Sequence, residues 1–249
     1  MVNHGVPSLI TQLQVKHGPS ELFSRFFIKA IQAVNDRGIS LRVGNFTELE
    51  EINQRNSDSW RPLFPSLSPS VGGAENSSGY AIIGVDHIGD PVATLGSRIF
   101  EWKNTNLKKQ AQELTFFYND LEKAREGETC EVTSKIAKTI TGRVSLGGGI
   151  WNHPDYRGHQ IIELMTRINR AYAYVTYNVD QHFGLLAPAA VKNRIHTKSG
   201  FREVDEALIM KNSTSYPGKD VSMMVIRAYP HDIIDDAYLF LSHWRSKTD

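Results

Sequence analysis

Apolar residues recur at three- and four-residue spacing from Ser20 to Arg37, where Leu22, Phe23, Phe26, Phe27, Ala30, Ile31 and Val34 share one side. That period predicts a helix over about residues 19–37, stopped by Gly38. Ile39 to Val43 alternates polar and apolar residues and reads as a short first strand. Thr47 and Glu50 are spaced as a capping box, which opens a helix over Glu48 to Asn56. Asn56 to Ser78, rich in Ser, Pro, Gly and Asn, reads as loop with a helical turn around Trp60 to Phe64. Tyr80 to Asp86 and Pro91 to Trp102 are apolar runs joined through Gly89-Asp90, which makes them a hairpin of second and third strands.

Helical spacing returns between Asn104 and Gly127, with Leu107, Ala111, Leu114, Tyr118 and Leu121 on one stripe; Thr133 to Ile140 reads as another short helical piece. Val144 to Trp151 is a fourth strand that contains Gly147, Gly148 and Gly149. A turn over His153 to Gly158 leads into a long amphipathic helix marked by Ile161, Ile162, Leu164, Met165, Ile168, Tyr172 and Val175. Phe183 to Ala187 is a short buried fifth strand, and Pro188 to Lys198 a helix stopped by Gly200. Arg202 to Met210 and Val221 to Tyr229 form a hairpin-like pair. Asp232 to Arg245 is a closing helix, with acids in its first turn. No internal repeat is visible.

Composition narrows the class without naming a chemistry. A chain of 249 residues hides roughly 70–75% of its unfolded surface on folding, enough for a sizeable core. Lys and Arg number 28 against 27 Asp and Glu, a net charge of +1 with no run of one sign, so nucleic-acid binding has no electrostatic footprint. Cys130 is the lone cysteine, which leaves no intrachain disulfide to form. No apolar stretch approaches a membrane span, and Met1 to Gly18 lacks the basic-then-apolar layout of a signal peptide. The expectation is a cytoplasmic protein folded as one domain over residues 1–249.

The segment 150–165 carries the chemistry. A glycine-bearing turn between a buried strand and a helix is a ready anion site, because first-turn N–H groups lack intrahelical partners and the helix dipole adds positive charge. Arg157 beside that turn is a candidate phosphate partner; an Arg-Gly pair serving only as a tight turn is the plainer alternative. Glycines inside a strand weaken it unless a bulge or close backbone approach requires them.

Pro154-Asp155-Tyr156-Arg157-Gly158, an apolar helix, a strand, and a helix ending in Gly200-Phe201-Arg202 resemble, in that order, the GNAT superfamily of acyltransferases. The resemblance is best over residues 144–210. It implies an α/β (α+β) fold: a mixed, mostly antiparallel central sheet flanked by helices, with the fourth and fifth strands splayed so that a pantetheine arm enters between them. It also implies an enzyme that moves an acyl group from acyl-CoA, acetyl-CoA first, to an amine of a small molecule or peptide, with no metal. The donor-binding residues it implies are Ile150, Trp151, Asn152, Arg157, Gly158, His159, Gln160, Ile161 and Ile162; Trp151 as core filler is the other reading. The family's loop glycines fall on Gln160 and Ile162, and its general-acid tyrosine falls on His196. His196 is thus a candidate acid, with an inert surface histidine as the alternative. Glu101 is the chosen base, ahead of Asp86, His87 and His153. About forty residues, 103–143, are inserted between the third and fourth strands; they are expected to pack over the acceptor side as a lid or to lengthen a homodimer contact. Insertion and glycine-poor loop together also resemble the long-chain N-acyl amino acid synthases, which take the acyl group from an acyl carrier protein. A non-catalytic GNAT-fold module that binds a ligand or partner is the competing class.

Overall fold

A computed structural model describes residues 8–244. The strands are β1 (Ser40–Gly44), β2 (Gly79–Val85), β3 (Pro91–Trp102), β4 (Thr129–Val132), β5 (Gly142–Asn152), β6 (Gln181–Leu186), β7 (Glu203–Lys211) and β8 (Val221–Ala228). They form one mixed sheet in the order β1-β2-β3-β5-β6-β8-β7-β4. Among the described residues only β5 and β6 run parallel, and a parallel pair needs a long crossover. Here the crossover is a helix of 17 residues, Ile161–Tyr177.

In chain order the helices are α1 (Leu9–Gln12), α2 (Ser20–Asn35), α3 (Phe46–Arg55), α4 (Pro69–Gly72), α5 (Leu107–Gln112), α6 (Ile161–Tyr177), α7 (Pro188–Lys192), α8 (Ile195–Lys198) and α9 (Pro230–His243). The alternation along β2 divides the core between two faces. Tyr80 and Ile82 point to a cluster built with α2, α6 and α9, including Phe23, Phe26, Phe27, Ile168 and Phe240. Ala81 and Ile83 point to the other cluster, with Phe46, Leu49, Trp102, Phe116 and Phe183. A strand period of two thus sends each helix layer its own set of side chains.

Several expected boundaries move, each for a local reason. The cap of α3 is Asn45, whose side chain accepts from Glu48 N at 2.9 Å; Thr47 instead bonds Asn76. Between residues 56 and 78 the helical turns are Pro65–Leu67, α4 and Asn76–Ser78, not Trp60 to Phe64. The helical stripe expected across 104–127 breaks after α5, because Leu114 adopts a left-handed backbone (φ 63) and returns Phe116 to Tyr118 to the core. The piece expected at 133–140 is one tight turn at Ile136–Lys138. The helix expected from Pro188 to Lys198 is split into α7 and α8 by Arg194, also left-handed (φ 57). The closing helix reaches His243; Arg245, like residues 1–7, lies outside the described residues.

The insertion holds the one strand not anticipated, β4, which lengthens the sheet beside β7. Its Phe116, Phe117 and Tyr118 fill the second core. The expected fourth and fifth strands are therefore β5 and β6.

Candidate active site

The parallel pair comes apart. β5 and β6 are in register from Val144 opposite Gln181 to Gly147 opposite Gly184, and no pairing continues beyond those glycines. The cause lies on the other side of β5. Thr94 faces Trp151 and Gly96 faces Gly148, so Gly149 and Ile150 together oppose Leu95. This is a bulge, which bends the strand that carries the extra residue. Gly149 takes the left-handed conformation (φ 61), and Thr94 Oγ1 donates to its carbonyl at 2.9 Å. Gly147 is required by close approach: a Cβ there would stand 2.7 Å from His182 Nε2.

A cleft of about 850 Å³ occupies the gap and passes from one face of the sheet to the other. On the α6 face its wall is the first turn of that helix. The backbone N–H groups of Ile161, Ile162 and Glu163 have no acceptor among the described residues, and all three residues line the cleft. Arg157 and Gly158 (φ 82) join the wall. Gln160 stands where the family pattern has glycine, yet it takes the backbone a glycine would take (φ 59). Its side chain is drawn off by Arg37 at the end of α2, whose Nη2 donates to Gln160 Oε1 (3.3 Å) and whose Nε donates to His159 O (2.6 Å). Arg37 also bonds Ala33 O and lies over the Trp244 ring. An arginine more than 120 residues earlier in the chain thus holds this loop at two points.

The opposite wall is the loop 59–67. Trp60 stacks on Trp151 (centroids 5.5 Å apart, planes 15° apart), and Trp151 Nε1 donates to Ser59 Oγ at 3.0 Å. Trp151 is both core and cleft wall. Leu63, Phe64 and Met223 extend this wall as an apolar surface. From the β7–β8 connection, Tyr216 reaches the same rim and donates its hydroxyl to Pro62 O at 2.9 Å. Burial pushes the Tyr216 phenol up, against an opposing pull from Arg61. The charged side chains on the wall are Arg61, Arg157 and Lys198 against Glu163.

The structure gathers Ile150, Trp151, Asn152, Arg157, Gly158, Gln160, Ile161 and Ile162 around this cleft. His159 contributes its carbonyl to Arg37, and its side chain is not on the wall. His196 and Glu101 are not brought to it. His196 sits on α8 between the cleft residues Ile195 and Lys198, but its own Nδ1 is buried elsewhere with no partner among the described residues. Glu101 lies at the far end of β3, opposite Arg143, and is ion-paired to it at 2.5 Å; the opened end of β5 pairs with Ala93 and Thr94 at the other end of that strand. Asp86 caps the β2–β3 turn through Ile88 N and Asp90 N, and His153 pairs with Asp155, so neither serves the cleft. No residue of 103–143 lines the cleft; Phe116 and Phe117 of the insertion pack against Phe64 of its wall.

Sequence reasoning missed Arg37, the 59–67 wall, Tyr216 and His182. The last is fully buried beneath Gly147, with Nδ1 2.6 Å from Ser145 Oγ. Burial, reinforced by Arg170, pushes its imidazole down to about 3. Trp60-Arg61-Pro62 was the available signal for the wall: a large aromatic in a Ser/Pro-rich loop needs something to pack against.

No protein-family model matches the chain, and no curated protein matches it. Among solved structures it is similar to the spermidine/spermine N-acetyltransferase SpeG from Vibrio cholerae, at 8% identity over 80% of this chain and 98% of that one, with a TM-score of 0.49. A dodecameric form of spermidine N-acetyltransferase from the same organism gives 9% identity, 77% and 94% coverage and a TM-score of 0.45. Aminoglycoside acetyltransferase AAC(6')-Ib, in complex with coenzyme A and kanamycin, gives 12% identity, 78% and 96% coverage and a TM-score of 0.43. Among the described residues the chain's own strand order, a parallel pair parted by a bulge, and the helix that crosses between those strands make a mixed, mostly antiparallel α/β sheet flanked by helices, the fold class that the sequence resemblance implied.

Proposed function

We propose that this chain transfers an acyl group from an acyl-CoA thioester, acetyl-CoA first, to the nitrogen of an amine. One observation carries the reading: a strand pair opened by a bulge lies directly beside a helix start whose N–H groups are unpartnered and face the same cleft. Unpartnered N–H groups with the dipole behind them suit phosphate oxygens, and Arg157 adds a charge. The free edge of β5 beyond Gly147 suits the amides of a pantetheine arm, which would otherwise go unpaired between the strands. A cleft of this size is within the roughly 300–1,000 Å³ typical of small-molecule sites.

In the reaction the amine lone pair attacks the thioester carbonyl, the C–N bond forms, and the C–S bond breaks. Backbone N–H groups near Asn152 stabilise the oxygen as it gains charge. The proton lost by the amine leaves through water in the open cleft, and the departing thiolate takes one up from solvent. No histidine lines the cleft among the described residues, and its one carboxylate is Glu163 at the head of α6. Holding the two reactants together is then the main source of acceleration. The rate should rise with pH as the acceptor amine loses its proton.

The absence of a histidine from that wall, with a single carboxylate at the head of α6, favours a second reading, a ligand-binding module without turnover. A phosphopantetheine thioester on an acyl carrier protein is the alternative donor. Thermal shift with acetyl-CoA, longer acyl-CoAs and CoA, followed by free-thiol release in the presence of amines, separates these. A donor at a hundredfold excess over its Kd should stabilise the chain by about 2.7 kcal/mol. Donor binding with no amine-dependent thiol release selects the module; no binding by any CoA thioester removes the CoA reading.

A further inference from the structure

The two mouths of the cleft differ in chemistry. On the α6 face stand the unpartnered N–H groups of the helix start, with Arg157 beside them. On the other face stand Trp60, Leu63, Phe64 and Met223, with Arg61 and Tyr216 at the rim. The acceptor has to enter from this second face, because the first is taken by the donor's phosphates. A polycationic amine would need carboxylates there, and among the described residues the second mouth has none. Arg61 instead presents a cation. Among the described residues it makes no ion pair; the bond it takes part in is through its own carbonyl, which accepts from Asn53 Nδ2 at 2.8 Å.

We propose that the acceptor is an amine that also carries a carboxylate on an apolar body, the chemistry of an apolar amino acid, with the carboxylate on Arg61 and the body against Trp60, Leu63, Phe64 and Met223. This rests on the acyl-transfer reading above. A guanidinium presents a planar fork of donors suited to a carboxylate. The aromatic and aliphatic wall takes the side chain. The positive surroundings also lower the acceptor's own ammonium pKa, which raises the fraction of free amine able to attack.

The test is steady-state transfer from acetyl-CoA, and in parallel from a longer acyl-CoA, to leucine, leucinamide and spermidine, with wild type and Arg61→Gln. Thermal shift by each acyl-CoA is recorded on both proteins. The expected result is a kcat/KM for leucine about tenfold or more above leucinamide and spermidine, the scale of one charge-assisted hydrogen bond. Arg61→Gln should erase that gap by raising KM for leucine about tenfold more than it raises KM for leucinamide or for acyl-CoA. Leucinamide or spermidine equalling leucine overturns the inference while acyl transfer stands, and so does Arg61→Gln lowering all three alike. Donor binding with no turnover of leucine also overturns it. No thermal shift by any acyl-CoA and no thiol release with any amine overturns both readings together.

Discussion

His182 makes the stability of this chain depend on acidity in a way that can be calculated. The residue is 1% exposed on β6, its Nδ1 is hydrogen-bonded to Ser145 Oγ at 2.6 Å, and the buried guanidinium of Arg170 lies in its field. Burial first and Arg170 second push its imidazole from an ordinary 6.5 to about 3. Above pH 6.5 the ring is neutral in the folded and unfolded chain alike, and it costs nothing. As pH falls below 6.5 the unfolded chain binds a proton that the folded chain still refuses, so stability is lost until the folded ring also protonates near pH 3. The slope is about 1.4 kcal/mol per pH unit, which comes to about 3 kcal/mol by pH 4.5. Against a whole-protein stability of roughly 5–15 kcal/mol that is a large fraction. The perturbation is His182→Gln, which keeps a polar group for Ser145 and does not titrate. Guanidinium unfolding of both proteins at pH 7, 5.5 and 4.5 isolates the effect, because carboxylate titration is common to the two. The wild type should lose about 1 kcal/mol more than the variant by pH 5.5 and about 3 kcal/mol more by pH 4.5. Parallel losses at all three values would refute the argument and place a charged or solvated ring at position 182.

Arg157→Gln should weaken acyl-CoA binding by roughly threefold to fivefold at low salt, the value of one exposed charge contact, and the difference should vanish in about 1 M salt. Isothermal titration at the two salt levels checks it. Glu128 is a buried carboxylate that accepts from Tyr118 OH (2.8 Å), Arg125 N and Thr214 N, and Thr214 precedes the cleft residue Tyr216 by two positions. Glu128→Ala should therefore cost about 1–3 kcal/mol of stability and raise KM for the acceptor more than KM for the donor. Glu101→Gln should leave kcat, KM and the basic limb of the pH–rate profile unchanged, with stability within about 0.5 kcal/mol, since an exposed ion pair is worth little. A flattened basic limb in that variant would restore Glu101 to the mechanism.

What could be read from the sequence follows how local its physics is. The period of Leu22 to Val34 placed α2, and Gly89-Asp90 placed the β2–β3 hairpin, because each depends on neighbours in sequence. The glycines at 147–149 and the turn before Ile161 pointed to the opened strand and the helix start for the same reason. Beyond that range the signals fail. β4 is four residues with alternating exposure inside a charged stretch, and it exists as a strand only because β7 offers an edge. Leu114 and Arg194 break the helices expected there, each through a residue in left-handed backbone (φ 63 and 57). Glu101 was chosen by its place late on a strand, but the opened cleft lies at that strand's other end, a fact fixed by the antiparallel register of β3 and β5. His196 was chosen by alignment to a tyrosine; the break at Arg194 turns that segment so that its neighbours, and not the imidazole, meet the cleft.

The clasp of Arg37 on His159 and Gln160 makes the geometry of the loop before α6 a tertiary property. A segment spanning 152–163 grafted onto a foreign scaffold would carry its letters without its conformation. A truncation that removed the end of α2 would leave the sheet able to form around a slackened loop. Drift at position 37 would reach the loop as directly as drift within it, so the two stretches are expected to change together over evolutionary time.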